Sequence, residues 1–153
     1  ATHVAEQDML QLHTRLDASR RAVSGFSLSG LMATLAYLDG KKLFRTLLGG
    51  EVSLKVLRAR NIKLYDEIQK RAEKNPDDRG GNVLWQLTAH TRKGSPEFAA
   101  EMDKFANILK RRRHNVLQQP LNHGTHDSAK PLVALTELEW LQQVWQAETE
   151  AVT

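Results

Sequence analysis

Apolar residues recur three or four positions apart along most of the chain, which is the spacing that places them on one face of a helix. This spacing predicts five helices, over residues 3–22, 27 or 29 to 39, 61–74, 96–117 and 136–150. The second of them is the most apolar, and we expect it to lie at the centre of the fold. Its apolar stripe consists of Leu28, Leu31, Met32, Leu35 and Leu38.

Capping residues mark the starts of three of these helices. Asn61 is a typical N-cap for the third helix, and Ser95 followed by Pro96 predicts the start of the fourth. Thr136 and Glu139 have the spacing of a capping box, which predicts that the last helix begins there. Its N-cap and its proline make the fourth helix the clearest of the five.

Two short segments alternate polar and apolar residues, which is typical of strands. Residues 51–57 and 83–89 show this pattern, and together they could form a small two-stranded element. A helix fits residues 83–89 nearly as well, so both alternatives stay open there. For residues 41–48 we favour a short helix, because Phe44 and Leu47 would face opposite ways in a strand.

Two polar segments separate the predicted elements. Residues 75–82 (Asn-Pro-Asp-Asp-Arg-Gly-Gly-Asn) are the clearest loop and a candidate hinge. Residues 118–131 form a second polar loop, which contains histidines. The predicted fold class is mainly α: residues 1–153 form a single domain of five or six helices, with a small two-stranded β element as an option.

The composition is that of one folded domain without disulfides. The chain has 153 residues, a length that suits a single domain, and 41% of them are apolar, which is enough for a core. The absence of cysteine excludes disulfide scaffolds, cysteine-ligated zinc and thiol nucleophiles. No apolar run approaches the roughly 20 residues of a membrane helix, and no signal-peptide pattern opens the chain. We therefore expect a cytoplasmic protein that does not bind membranes.

Charge is distributed unevenly along the chain. The 22 Lys and Arg residues outnumber the 18 Asp and Glu residues, and every Lys and Arg lies at or before Lys130. The segment that follows carries four charged residues, which are Glu137, Glu139, Glu148 and Glu150. A basic body with an acidic last helix, residues 136–150, suits either the binding of a polyanion or an acidic helix that folds back on the body.

A run of four basic residues near the end of the fourth predicted helix is the strongest functional feature. Such residues fan around a helix at about 100° each, so some must project into solvent, where guanidinium groups suit phosphate. We expect this run and a second basic group to contact DNA or RNA, as a non-enzymatic binding module. The predicted contacts are Lys110, Arg111, Arg112, Arg113, Arg58, Arg60 and Lys63. A solvated helix end is the alternative.

A protein–protein interaction or scaffold domain is the second hypothesis. Leu141, Val144 and Trp145 form an apolar stripe on the last predicted helix. This stripe could dock on the body of its own chain or on a second copy in a homodimer, because large apolar patches mark partner surfaces.

Candidates for catalysis and metal binding are few. His123, His126 and Asp127 could ligate a metal, but a polar loop without a fourth ligand favours a solvated loop. We identify no nucleophile motif, no phosphate-cradling glycine loop and no paired carboxylates. We therefore expect no catalytic residues, no metal and no cofactor, and an enzyme that uses the histidine loop ranks last.

Overall fold

Four strands and six helices make up the part of the chain that the computed structural model describes, which is residues 17, 20–39, 43–74 and 80–152. The strands are β1 (Ala22–Phe26), β2 (Thr46–Gly50), β3 (Asn82–Thr88) and β4 (Asn115–Leu121). The helices are α1 (Leu28–Tyr37), α2 (Leu54–Arg60), α3 (Ile62–Ala72), α4 (Ala89–Gly94), α5 (Pro96–Arg111) and α6 (Lys130–Val152).

All four strands run parallel, in the spatial order β1-β2-β3-β4. The register aligns Val23 with Leu47, Leu47 with Val83, and Val83 with Val116. Because the strands are parallel, all four end at one edge of the sheet, which we call the carboxyl edge. The segments that leave the ends of different strands therefore meet there, however far apart they lie in the sequence.

Helices cover both faces of the sheet, so the two central strands, β2 and β3, are buried on both sides. One face carries Leu47 and Val83 and packs against α1, α2, α3 and α5 in the main core. The other face carries Leu48 and Leu84, which pack against Trp140 of α6 in a smaller core. Successive side chains of a strand point to opposite faces, which explains why neighbours such as Leu47 and Leu48 belong to different cores.

The fold is α/β, and the prediction of a mainly α domain with five or six helices is wrong. The sheet was missed because helices cover both of its faces. β2 and β3 are buried at every position and lack the alternation that reveals a half-exposed strand. Residues 83–89 do form a strand, as one alternative predicted, but its partners are β2 and β4.

Two further segments differ from their predictions. Residues 51–57 were expected to pair with β3, but α2 starts at Leu54. The short helix expected over residues 41–48 is replaced from Thr46 onward by β2, while residues 40–42 lie outside the described part. In β2 the side chains of Leu47 and Leu48 face opposite ways because each face of the sheet has its own core.

The helix predictions agree with the structure best where caps and stripes coincide. α1, α3 and α5 occupy the predicted regions, and Asn61 caps α3 by accepting a hydrogen bond from the Leu64 amide at 3.1 Å. α5 ends at Arg111 instead of residue 117, because Arg113 adopts a positive φ of 70° and β4 follows.

The last helix starts earlier than predicted. α6 begins at Lys130, so Thr136 lies inside it and donates a hydrogen bond to the Leu132 carbonyl instead of forming a capping box. The loop expected over residues 118–131 is partly strand β4. The helix predicted over residues 3–22 and most of the candidate hinge at 75–82 fall outside the described residues. No helix of the described part is both long and apolar enough to span a membrane.

A buried carboxyl group lies where α6 crosses β1. Glu137 is 7% exposed; Ser24 Oγ donates to its Oε2 at 2.8 Å, and its Oε1 has no partner among the described residues. Burial raises the pKa of Glu137 because the charged form loses its hydration, and the one bond from Ser24 does not offset this.

We expect Glu137→Gln to stabilise the protein at pH 8 by roughly 1 kcal/mol. Because the folded-state pKa is raised, the stability contributed by the protonated carboxyl is present below its ordinary pKa and is lost as the pH rises through the folded value. The gain from the amide should therefore disappear on acidification. Thermal unfolding from pH 4 to 8 measures it. Glu139→Gln on the exposed side of α6 is the control, and an equal gain at both pH values would contradict the account.

Candidate functional site

Ser27 occupies a strained turn between a strand and a helix at the carboxyl edge. It is the single residue between β1 and α1, and its φ of 56° and ψ of −117° are unusual for a residue with a side chain. The Ser27 amide donates to the Gly50 carbonyl at the end of β2 at 2.8 Å, which fixes the turn to the neighbouring strand. A backbone held in this way marks a functional site more often than a packing requirement.

Two glycines allow this sharp turn. A Cβ at Gly25 would lie 2.3 Å from the Ser29 carbonyl oxygen, and one at Gly30 would lie 2.9 Å from Val52 Cγ2. Ser29 stabilises the turn from within, since its Oγ accepts from the Phe26 amide at 2.9 Å and donates to the Phe26 carbonyl at 2.8 Å. Because neither glycine has a side chain, α1 can start close to β1, and Ser27 lies at the apex of the turn.

Glu51 follows β2 at the same edge and is completely buried. Its φ is 45°, so two of the three described non-glycine residues with positive φ are Ser27 and Glu51. The Thr88 amide donates to Glu51 Oε1 at 2.6 Å, and Thr91 Oγ1 donates to Oε2 at 2.6 Å. Burial alone would raise the pKa of Glu51, but the hydrogen bonds from Thr91, Thr88 and His126 outweigh it and the pKa is lowered. Glu51 is therefore a carboxylate at neutral pH.

His126 connects these two residues. Its Nδ1 lies 2.7 Å from Glu51 Oε2, and its Nε2 lies 3.0 Å from Ser27 Oγ. A carboxylate can only accept, so Nδ1 carries the proton and Nε2 of the neutral ring is free to accept from Ser27. The ring is held between Phe26, at 5.2 Å between centroids, and Phe98, at 6.3 Å. The result is a continuous hydroxyl–imidazole–carboxylate chain.

A second hydroxyl contacts the Ser27 side-chain oxygen. Ser53 is 3% exposed, its Oγ lies 3.0 Å from Ser27 Oγ, and its amide donates to the Ser27 carbonyl at 3.2 Å. Because Ser27 gives its one hydroxyl proton to His126, Ser53 is the donor in the bond between the two oxygens. Ser53 is the N-cap residue of α2, yet its side chain makes no capping bond there.

A cleft of about 570 Å³ opens over this chain of residues. Ser27, Ser53 and His126 form part of its wall. Its apolar lining comes from Leu28, Val56 and Phe98, and its polar lining includes Arg60, His90 and Thr91. A volume in this range admits a small organic substrate, with apolar surface for most of it and a few polar groups to orient it.

The predicted nucleic-acid contacts do not meet in one place. Residues 110–113 come just before β4 and therefore lie towards the edge opposite Ser27 and Glu51. The Lys110 side chain donates to Gln118, in the middle of β4, at 2.9 Å. Arg58 forms an ion pair with Glu101, Arg60 lines the cleft, and Lys63 is exposed on α3. Nucleic-acid binding stays an untested prediction that this placement of Lys110, Arg111, Arg112 and Arg113 does not support.

The predicted partner stripe lies against the chain's own sheet. Leu141 belongs to the smaller core with Leu48 and Leu84, and Val144 and Trp145 pack against it. This placement corresponds to the option in which the last helix docks on its own body. A homodimer contact through these residues is untested.

The two histidines of the loop have different surroundings. His126 is engaged by Glu51 and Ser27, while His123 is exposed. Within residues 17, 20–39, 43–74 and 80–152, no group of three or more His, Asp or Glu residues is placed to hold a metal ion.

The sequence alone did not reveal Ser27, Glu51 or His126 as a site. A signal was present, since Gly25, Ser27 and Gly30 are closely spaced where β1 passes into α1. The nucleophile turn of many hydrolases reads Gly-x-Ser-x-Gly, and here Ser29 fills the last position while the glycine follows one residue later. Glu51 and His126 have no local signal, because only the sheet brings them to Ser27.

Comparison with known proteins adds information on the fold. No protein-family model matches this chain, and no curated protein matches it significantly by sequence. Among solved structures it is similar to the acylaminoacyl peptidase of Pyrococcus horikoshii, with a TM-score of 0.53 and 14% identity. The match covers 78% of this chain and 22% of the peptidase, so the chain spans about a fifth of that protein's length. At 14% identity, this similarity shows only that the two proteins share an α/β fold.

Proposed function

We propose that this chain is a serine hydrolase that cleaves acyl bonds, with esters as the simplest substrates. One observation carries the proposal: Ser27 Oγ, His126 and Glu51 are joined by contacts of 3.0 and 2.7 Å at the wall of a cleft. The order in the chain, Ser then Glu then His, is that of α/β-hydrolases. A strand, a strained serine and a helix in succession are also the context that this nucleophile requires.

In the first half of the reaction, Ser27 Oγ attacks the acyl carbon and its proton passes to His126 Nε2. The carbonyl electron pair moves to oxygen, and the tetrahedral intermediate then expels the alcohol, which leaves with the proton from Nε2. Glu51 keeps the imidazole in the correct orientation and stabilises its positive charge, while its own proton count does not change. The product is an ester between the acyl group and Ser27.

In the second half, water attacks that ester. His126 Nε2 takes one proton from the water molecule and returns it to Ser27 Oγ as the acid leaves. Leu28 is the first residue of α1, so its amide lacks a helical acceptor and is the donor that this turn supplies to the oxyanion. Ser53 donates to Ser27 Oγ and thereby orients its lone pair towards the cleft.

Covalent labelling tests this proposal directly. A fluorophosphonate probe forms an Oγ–P bond with an activated serine and releases fluoride, while the proton goes to the histidine. We expect one adduct per chain, located by mass spectrometry on the peptide that contains Ser27. Thr136→Ala, which removes a hydroxyl from α6, should be labelled at the wild-type rate. A folded wild-type protein that is not labelled, or is labelled at another residue, would refute the proposal.

A further inference from the structure

The cations of α2 differ in what they contact. Lys55 forms an ion pair with Glu97, and Arg58 forms one with Glu101. Arg60, the last residue of the same helix, makes no hydrogen bond or ion pair with any residue of the described part. It is also the one of the three that lines the cleft over Ser27. Two of the three cations of α2 are thus neutralised by glutamates, and the third, Arg60, lies at the cleft.

Negative charge lies behind the cleft wall, where the Glu51 carboxylate is bonded to Thr91 and His126, whereas the described wall itself is free of carboxylates. Among the described residues that line the cleft none is an Asp or Glu, while His90 adds ring nitrogens and Thr91 a hydroxyl. Leu28, Val56 and Phe98 supply apolar surface around them. A carboxylate bound beside such surface is partly shielded from water, and a guanidinium can hold it with two parallel hydrogen bonds.

We infer that the substrate carries a carboxylate that Arg60 binds while Ser27 attacks the acyl bond. This inference rests on the proposed hydrolase activity and names its substrate class: an ester or related acyl compound with one anionic end and an apolar segment. The scissile carbonyl lies at Ser27 and His126, the apolar segment lies against Val56 and Phe98, and the carboxylate lies at Arg60. Neutral esters of the same length should be hydrolysed more slowly.

Two pairs of esters test the inference from either side of the scissile bond. On the acyl side, 4-nitrophenyl hexanoate is compared with the 4-nitrophenyl monoester of adipic acid, which has the same chain length and a terminal carboxylate. On the alcohol side, 4-tolyl acetate is compared with 4-acetoxybenzoate. We expect wild-type kcat/KM to favour the anionic member of at least one pair by about 10-fold, which corresponds to about 1.4 kcal/mol.

The variants separate this inference from general effects of charge. Arg60→Ala should abolish the preference, so that kcat/KM for the anionic ester falls to the value for the neutral ester of the same pair. Lys70→Ala removes one exposed charge from α3 and should keep the preference. Added salt should weaken the preference because it screens the exposed guanidinium.

The outcomes separate the two proposals. Hydrolysis of all four esters without a preference, or a preference that survives in Arg60→Ala, would overturn the carboxylate assignment and leave the hydrolase intact. Hydrolysis of none of them, together with no labelling of Ser27, would overturn both.

Discussion

Replacing Ser27 with alanine should lower kcat for ester hydrolysis by about 10⁴-fold or more, because the variant has no atom that can form the acyl-enzyme. The residual rate would come from the binding cleft and from the Leu28 amide as oxyanion donor. KM should change far less than kcat, since the Ser27 hydroxyl is a small part of the cleft wall. Initial rates with 4-nitrophenyl hexanoate over a range of concentrations give both constants.

The fold should tolerate this substitution. The strain of the positive φ is already present with serine, so alanine adds little to it. Because the variant loses the hydroxyl contacts with His126 and Ser53, we expect a loss of stability on the order of 1 kcal/mol. Circular dichroism and thermal unfolding of Ser27→Ala check that an inactive protein is still folded. Thr136→Ala should keep the wild-type kcat, because its hydroxyl bonds only to its own helix. A folded Ser27→Ala variant with more than a tenth of wild-type activity would mean that another residue is the nucleophile.

Replacing Glu51 with glutamine should lower both activity and stability. Glu51 accepts at both carboxylate oxygens, whereas a glutamine accepts at one terminal atom and donates from the other. With the amide NH2 facing Nδ1, the imidazole takes the tautomer that carries its proton on Nε2 and cannot accept from Ser27, so we expect kcat to fall by about 10³- to 10⁴-fold. The buried amide also places N–H hydrogens opposite the donors Thr88 or Thr91. A clash between donors at a fully buried group should cost about 1–3 kcal/mol.

The stability that Glu51→Gln loses relative to the wild type should be largest at neutral pH and smaller in acid. The pKa of Glu51 is lowered in the folded protein, so its contribution is present above the ordinary carboxyl pKa and is lost as the pH falls through the folded value. The gap in unfolding free energy between wild type and Glu51→Gln should therefore narrow on acidification. Guanidinium unfolding at pH 7 and at progressively lower pH measures it.

Glu67→Gln is the matched control for this experiment. Glu67 is an exposed carboxylate paired with Arg71 on α3, and we expect its replacement to leave kcat unchanged and the unfolding midpoint close to that of the wild type. Wild-type activity in a folded Glu51→Gln variant would remove Glu51 from the catalytic chain. A stability gap that widens on acidification would contradict the lowered pKa.

The sequence predicted correctly the elements that are marked by neighbouring residues, such as a capping residue followed by an apolar stripe. α3 and α5 have caps at their starts and apolar residues at helical spacing, so Asn61 and Ser95 located them well. β2 offered no such signal. Its five residues are all buried, and two of them are glycines, so neither periodicity nor strand propensity distinguished it from the short helix that we predicted over residues 41–48. Because the parallel sheet was not predicted, the predicted fold class was wrong, although the predicted positions of several helices were correct.

The site was harder to predict for the same reason. Ser27, Glu51 and His126 are separated by long stretches of sequence and meet only because β1, β2 and β4 end at one edge. Without the sheet, His126 reads as a polar loop residue and Glu51 as a surface charge. The structure also separates Arg60 from residues 110–113, two basic groups that the sequence placed in one class.

The side chain of Ser53 links the start of α2 to the Ser27 hydroxyl. A serine at the start of a helix ordinarily accepts from a backbone amide of the first turn, a bond worth about 1 kcal/mol. Here that hydroxyl is directed to Ser27 Oγ, and α2 begins without it. A rotation of the Ser53 side chain towards the first turn of α2 would exchange its contact with Ser27 for a helix cap. The start of this helix and the position of the Ser27 hydroxyl therefore compete for the same side chain.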